Sequence, residues 1–212
     1  EGGGGGGRGQ GDGWQPISRF LQVAEHFQLT PLIDLITLNL GLEELRKNPS
    51  LAGVATSLSA SSLRDDNFRL RLLQLIRKNP GLAGRLWLEV PEADVLKHTL
   101  ILPAFVADVR KAGGRIGLTH FGRHYSHADT LHDFGLDFLK VDSSFVRGLQ
   151  YSADNQTFLK DLALAAHKMG MQVYAEGVID QAELAELAAA SFDGAAGSAV
   201  REAGYGHDHA GQ

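Results

Sequence analysis

Short apolar runs alternate with longer amphipathic stretches along most of the chain. The runs that this alternation predicts as β-strands are Val54 to Leu58, Leu86 to Val90, Arg115 to Leu118, Phe138 to Val141, Gln172 to Ala175 and, more weakly, Phe192 to Ala196. Helical spacing marks 20–27, the stretch after Pro31, Val95 to Ala112, Asn155 to Met169 and Gln181 to Ala190. Six strand–helix units in succession favour an α/β fold with a parallel sheet, and a TIM-like (β/α) barrel more than a doubly wound sheet.

A short internal sequence repeat supports this alternation of strands and helices. The sequence R-K-N-P-S-L-A-G at 46–53 returns as R-K-N-P-G-L-A-G at 77–84, 31 positions later. Each copy ends a helical stretch and leads into an apolar run. That period suits one strand–helix unit.

The two ends of the chain differ from the middle. Residues 1–13 contain nine glycines and no apolar run, which predicts a flexible segment. A phosphate-binding glycine loop is a weaker interpretation, because no strand precedes these glycines. Residues 14–200 form the predicted domain, and 201–212 a flexible tail in which His207-Asp208-His209 is a weak metal-binding candidate.

Composition narrows the class of protein. Hydrophobic residues make up 43% and charged residues 21%, as in ordinary globular domains. The net charge of −5 lacks the basic excess of proteins that bind DNA non-specifically, although a discrete nucleotide ligand stays possible. The absence of Cys excludes disulfides, thiol nucleophiles and Cys-ligated zinc. No apolar run reaches the ~18 residues of a membrane span, so we expect the chain itself to be soluble.

Polar residues cluster where the predicted strands end, which is where (β/α) barrels place their working groups. These residues are Ser57, Ser59, Glu89, Glu92, Thr119, His120, Lys140, Asp142 and Glu176. They predict one polar rim, because charged groups at the ends of apolar strands must face solvent, a partner or a ligand. The alternative is that Glu89, Lys140 and Glu176 merely pair with one another as a buried ion network.

Single residues near this rim allow competing interpretations. On a helix, His120, His124 and His127 would present three imidazoles to Zn²⁺ or Fe²⁺. Gly122 and the predicted loop favour a solvated polar segment instead. We expect Trp87 to pack outward under a helix rather than to stack on a base. Arg123 is predicted to reach a phosphate from a loop, and the alternative is a solvated arginine.

Four ordered segments resemble one known family. They are L-E-V-P-E at 88–92, F-G at 121–122 followed by Y-S at 125–126, L-K-V-D-S-S-F-V at 139–146 and A-E-G-V at 175–178. The EAL domain family of cyclic di-GMP phosphodiesterases has L-E-I-T-E, D-D-F-G-x-G-Y-S, L-K-I-D-x-S-F-V and A-E-G-V-E at these places. The resemblance covers roughly residues 14–200. It implies an EAL-type barrel that lacks the first strands in this chain, since no E-A-L tripeptide is found.

The chain departs from the family at positions that carry the chemistry. Active members are understood to hold two Mg²⁺ or Mn²⁺ ions on carboxylates and an Asn, and the ions activate water. The departures are Thr119 and His120 for the paired Asp, Ser57 for the Asn, Ile179 for the second Glu of A-E-G-V-E, and Ala196 for the late Gln. Glu89, Lys140 and Glu176 remain. The resemblance therefore implies a domain that is not an enzyme and needs no metal or other cofactor.

The segment H-F-G-R-H-Y-S at 120–126 is similar to the corresponding segment of the degenerate EAL domains of LapD-type receptors. That similarity implies the cytoplasmic domain of a bacterial inner-membrane protein that binds cyclic di-GMP, forms homodimers and controls surface adhesion and biofilm. Another domain would engage a periplasmic cysteine protease, and no DNA would be bound. The ligand-binding residues it implies are Ser57, Glu89, His120, Phe121, Arg123, Lys140 and Glu176.

Two other functions stay open from the sequence. One is a weakly active cyclic di-GMP phosphodiesterase with a rearranged single-metal site. The other is a protein-interaction module that no longer binds nucleotide. The surviving Glu89, Lys140 and Glu176 favour nucleotide binding over its complete loss.

Overall fold

A computed structural model describes residues 29–97, 100–123 and 134–200. Within them the strands form one parallel sheet whose order follows the chain, β1-β2-β3-β4-β5-β6. The strands are β1 Val54–Ser57, β2 Leu86–Pro91, β3 Arg115–Phe121, β4 Phe138–Val141, β5 Gln172–Ala175 and β6 Gly194–Ala195. Sequential parallel strands joined through helices make a partial (β/α) barrel, which confirms the predicted fold class.

Helices lie between the strands wherever the sequence predicts them within the described residues. They are α1 Thr30–Lys47, α2 Ala60–Arg64, α3 Asp66–Arg77, α4 Pro80–Ala83, α5 Glu92–Lys97, α6 Leu102–Lys111, α7 Ser143–Val146, α8 Ala153–Lys168 and α9 Gln181–Ala189, with a 3₁₀ turn at Leu149–Tyr151. None of these helices is long and apolar enough to cross a membrane. The predicted helix at 20–27 and the predicted end segments 1–13 and 201–212 lie outside the described residues.

One predicted helix is divided in the structure. The expected stretch Val95 to Ala112 is two helices, because α5 ends at Lys97 and α6 begins at Leu102. Pro103 lies in the first turn of α6. Proline has no backbone N–H to donate and is tolerated in a first turn but not in a helix interior, so a new helix starts there.

The core lies between the sheet and the surrounding helices. In β2 the side chains of Leu86, Leu88 and Val90 are almost fully buried, and they belong to the same apolar cluster as Leu72 of α3 and Val109 of α6. Because successive strand side chains point to opposite faces, the alternate residues of β2 must face the barrel interior. This alternation fixes which polar groups the barrel encloses.

Trp87 corrects one expectation from the sequence. Its ring lies on the interior face, 5.3 Å from the rings of both Phe138 and Tyr174, and the Arg115 guanidinium lies 4.4 Å from its centre. The predicted outward packing under a helix is therefore wrong. The β2 face that meets the helices carries only aliphatic side chains, and the strand's period of two leaves Trp87 on the other side.

Candidate functional site

The carboxyl ends of β1 to β5 and the residues just after them form one rim, here called the mouth. The strands pair in register, with Ser57 opposite Glu89, Pro91 opposite Thr119, and Val141 opposite Ala175. Parallel strands in register end at the same edge of a sheet. The polar residues that the sequence places at strand ends are therefore neighbours across the mouth.

Glu89 and Lys140 form an ion pair inside the mouth. Both face the interior, because each alternates with side chains that belong to the core. Only 12% of the Glu89 side chain and 17% of the Lys140 side chain are exposed. A charge pair this sheltered is less screened by salt than a surface pair. Beneath it, Lys140 also lines a cavity of about 250 Å³ together with Trp87 and Tyr174.

A distortion at the end of β3 aims His120 across the mouth. The register with β4 shifts between Leu118 and Phe121, and His120 has a φ of 54°. This left-handed conformation is uncommon for residues other than glycine, although His is among the types enriched there. The distortion brings the His120 Nδ1 within 3.2 Å of Glu176 Oε2 and 3.4 Å of Asp142 Oδ2.

Asp142 is the most deeply buried carboxylate of the mouth, with 1% of its side chain exposed. It begins α7, where its Oδ1 accepts a hydrogen bond from the Ser144 backbone N–H at 3.0 Å. Its Oδ2 lies 2.8 Å from Arg123 Nε. Burial alone would raise the pKa of Asp142, but the Ser144 hydrogen bonds and the Arg123 charge together hold the pKa below its ordinary value.

The opposite shift occurs at Glu176, which follows β5. Burial raises its pKa, and the nearby Glu89 carboxylate adds to the rise. His120 and Lys140 act against this by favouring the ionised form, yet the net direction is upward. The two carboxylates that face His120 therefore differ, since burial dominates at Glu176 while hydrogen bonds and Arg123 dominate at Asp142.

The structure brings most of the sequence-predicted site residues together. Glu89 and Lys140 form one pair, while His120 joins Glu176 to the carboxylate that Arg123 holds. The alternative of a single ion network among Glu89, Lys140 and Glu176 is only partly realised. Glu89 pairs with Lys140, whereas the side chain within 4 Å of the Glu176 carboxylate among the described salt-bridge contacts is His120.

Two predicted site residues, Ser57 and Phe121, are not members of the ion pairs described above. Ser57 ends β1 beside Glu89 and is exposed at the mouth. Phe121 is 2% exposed and its side chain packs in the apolar core, so only its backbone faces the mouth residues, accepting a hydrogen bond from the Asp142 N–H at 3.0 Å. A side-chain contact between Phe121 and a ligand does not fit this burial.

Asp142 is a site residue that the family resemblance does not single out for ligand binding. Its position after β4 predicts only a place on the rim. Its signal is local: an Asp directly before the Ser-Ser start of a short helix is the pattern of a helix N-cap. A capping carboxylate is held in one orientation, which here leaves its other oxygen free to bind Arg123 and His120.

The alternative of a three-histidine metal site is not supported by the part of it that the structure describes. His120 lies in β3 and not on a helix, so the helical spacing on which that interpretation depends does not apply to it. His124, His127 and the tail segment His207-Asp208-His209 lie outside the described residues. Within 29–97, 100–123 and 134–200, no three His, Asp or Glu side chains form a group able to hold a metal ion.

Comparisons with known proteins agree on one family. The sequence profile of the EAL domain matches residues 8–203. A curated relative, the cyclic di-GMP phosphodiesterase PdeA of Borreliella burgdorferi, is 22% identical over 181 residues, which are 84% of this chain and 27% of PdeA. This chain thus spans about a quarter of the length of that relative.

Solved structures show the same fold. The EAL domain of Xanthomonas citri FimX in complex with c-di-GMP superposes with a TM-score of 0.78 at 21% identity, covering 89% of this chain and 76% of that one. The S helix-GGDEF-EAL fragment of Vibrio cholerae LapD, bound to c-di-GMP, gives a TM-score of 0.72 at 22% identity and covers 81% of this chain and 42% of that one.

Proposed function

This chain belongs to the EAL domain family, and we propose that it binds cyclic di-GMP at the mouth without cleaving it, as the receptor domain of a signalling protein. The observation that carries the proposal is the pairing of His120 with Glu176 and Asp142. At the end of β3 the family pattern has two acidic side chains. In this chain the pairing places a basic side chain there, between two carboxylates. The two relatives with solved structures reported above are complexes with the same dinucleotide.

The residues present do not fit the two-metal centre that the family implies. The paired acidic positions are Thr119, which is buried, and His120, which is already engaged by two carboxylates. Glu89 is engaged by Lys140. Two divalent cations close together need bridging negative oxygens to offset their repulsion, and the basic partners at these carboxylates provide the opposite charge.

Binding can persist where hydrolysis does not. A cyclic dinucleotide carries two phosphates and two guanine bases, so it is recognised by cations and by hydrogen-bond acceptors that need take no part in chemistry. In this account Arg123 and Lys140 supply positive charge, and Glu176 accepts hydrogen bonds from a guanine edge. Ser57 offers an exposed hydroxyl at the same rim.

Calorimetric titration with cyclic di-GMP in the presence of EDTA tests this proposal. We expect saturable binding that added Mn²⁺ does not strengthen. Binding that requires Mn²⁺ and is followed by release of linear dinucleotide would instead support the weakly active phosphodiesterase, which is what curated relatives such as PdeA are named. An absence of binding under both conditions would support the interaction module.

The wider role is a second part of the proposal and depends on the resemblance to LapD-type receptors. In that role the chain is the cytoplasmic domain of an inner-membrane protein, dimerises when ligand binds, and transmits the signal to a periplasmic domain that holds a cysteine protease and so controls adhesion and biofilm. The chain spans 42% of the LapD fragment. In this role the membrane segments and the output domain would be carried by a longer protein. Light scattering with and without saturating cyclic di-GMP tests the dimer, and an unchanged mass would contradict it.

A further inference from the structure

Every carboxylate at the mouth that the structure describes in an ion pair is matched by a basic side chain. The pairs are Asp142 with Arg123, Glu176 with His120, and Glu89 with Lys140. His120 also lies 3.4 Å from Asp142, so it is shared between two carboxylates. Each of these three acidic groups therefore has a basic side chain of the chain itself beside it.

Among these three basic side chains, His120 lies close to two carboxylates. Its Nδ1 is a single atom on which an oxygen of Glu176 and an oxygen of Asp142 converge, at 3.2 and 3.4 Å. Carboxylate oxygens that converge on one point are the arrangement in which proteins hold Mg²⁺, Mn²⁺ or Ca²⁺. In this chain an imidazole nitrogen occupies that point.

The backbone is shaped to hold the ring there. His120 is one of two non-glycine residues with positive φ among those described, and it lies at the shift in register between β3 and β4. Left-handed backbone at a residue other than glycine is unfavourable and persists where the surrounding structure enforces it. The ring is therefore placed between the two carboxylates by the end of β3, even though 55% of it is exposed.

We propose that His120 is a built-in substitute for a divalent cation, and that removing its imidazole opens a cation site between Glu176 and Asp142. Among the described residues the other basic groups do not supply this contact, because Arg123 pairs with Asp142 and Lys140 pairs with Glu89. The proposal goes beyond the proposed function, since it concerns the cation and holds whether or not a nucleotide binds.

The test uses Mn²⁺ alone, without nucleotide. Binding is measured by the loss of the free Mn²⁺ signal in electron paramagnetic resonance, and the melting temperature is measured with and without the ion. We expect the unaltered chain to show no saturable Mn²⁺ binding. We expect His120→Ala to bind Mn²⁺ and to gain roughly 5 °C in melting temperature at a hundredfold excess over its Kd.

A matched control is available within the same chain. His167 also lies close to a carboxylate, with its Nε2 2.9 Å from Asp193 Oδ2, and no second carboxylate pairs with it in the part of the chain that the structure describes. His167→Ala is therefore expected to gain neither Mn²⁺ binding nor a Mn²⁺-dependent melting temperature. His120→Asn is the second test variant, because Asn tolerates left-handed backbone and preserves the turn should the alanine variant fail to fold.

Two results would overturn the proposal. If the unaltered chain binds Mn²⁺ as tightly as the His120 variants, the mouth keeps a metal site of its own. If the folded variants bind no Mn²⁺ and their melting temperature does not respond to it, His120 does not occupy a cation position. Either result leaves nucleotide binding to be judged separately, because no nucleotide is present.

Discussion

His120 and Glu176 meet across the mouth at 3.2 Å, although their strands β3 and β5 are separated by β4. The contact exists because the distorted end of β3 turns the imidazole sideways, and because Glu176 directly follows β5 on the same edge. It brings a basic and an acidic side chain together at two positions where the family pattern has acidic residues.

Replacing Glu176 by Ala is expected to weaken cyclic di-GMP binding by about 10- to 100-fold, which corresponds to roughly 1–3 kcal/mol for a largely buried hydrogen-bonding charge. The loss should depend little on salt, because the group is sheltered. Arg123→Ala is the comparison variant: its side chain is more than half exposed, so its effect should shrink as ionic strength rises. Calorimetric titrations at two salt concentrations measure both, and equal salt dependence of the two variants would contradict the assignment.

Glu176→Gln is expected to change how stability depends on pH. Because the folded pKa of Glu176 is raised, the folded state binds the proton more tightly than the unfolded state does. Its contribution to stability is therefore fully present below the ordinary pKa of about 4.5 and is lost as the pH rises through the folded pKa. Urea unfolding between pH 4 and pH 7 should show that the free energy of unfolding of the Gln variant increases relative to that of the unaltered chain as the pH rises. A constant difference would show that Glu176 titrates normally.

Asp142→Asn should change the pH dependence of stability in the opposite direction. The folded pKa of Asp142 is lowered, so its stabilising effect is present above the unfolded value near 3.8 and is lost as the pH falls through the folded pKa. The variant should be less stable than the unaltered chain at pH 7, and that gap should close in acid. Urea unfolding measures the gap, with Asp154→Asn as control, since Asp154 is an exposed residue in the first turn of α8. A gap that does not narrow as the pH falls below 3.8 would contradict the ionic role.

Gly117→Ala is expected to destabilise the fold by about 2–3 kcal/mol or more, because overpacking displaces fixed backbone. A Cβ at Gly117 would lie 2.2 Å from the carbonyl oxygen of Phe138 and 2.5 Å from its ring. Gly81→Ala is the matched control, because a Cβ there meets nothing within 4 Å and Ala favours the helix. Chemical denaturation of the two variants should separate them clearly, and equal stabilities would contradict the described β3–β4 packing.

The double change Thr119→Asp with His120→Asp is expected to leave cyclic di-GMP intact. It restores two acidic groups, but Ser57, Ile179 and Ala196 still depart from the family pattern. Chromatography of the incubated nucleotide measures the outcome. Robust turnover by this variant would show that those three positions matter less than the acidic pair.

Much of the fold was predictable because strand and helix periodicity is local. Two strands, Phe138–Val141 and Gln172–Ala175, have the predicted bounds. Within the described residues, one predicted helix is divided, and the second of its parts begins at the turn that contains Pro103. The pairing of His120 was not predictable, since it depends on a register shift between strands that no local pattern encodes. The face on which Trp87 lies is not predictable for a related reason. Alternation shows that two faces exist, but tertiary packing decides which face meets the helices.

The most direct measurement is chromatography of cyclic di-GMP after prolonged incubation with excess protein and millimolar Mn²⁺. The mouth described above places His120 and Lys140 against the carboxylates that a two-metal centre would need. We therefore predict that all of the nucleotide is recovered as the cyclic form. Linear dinucleotide, formed at a rate proportional to protein concentration, would contradict the account.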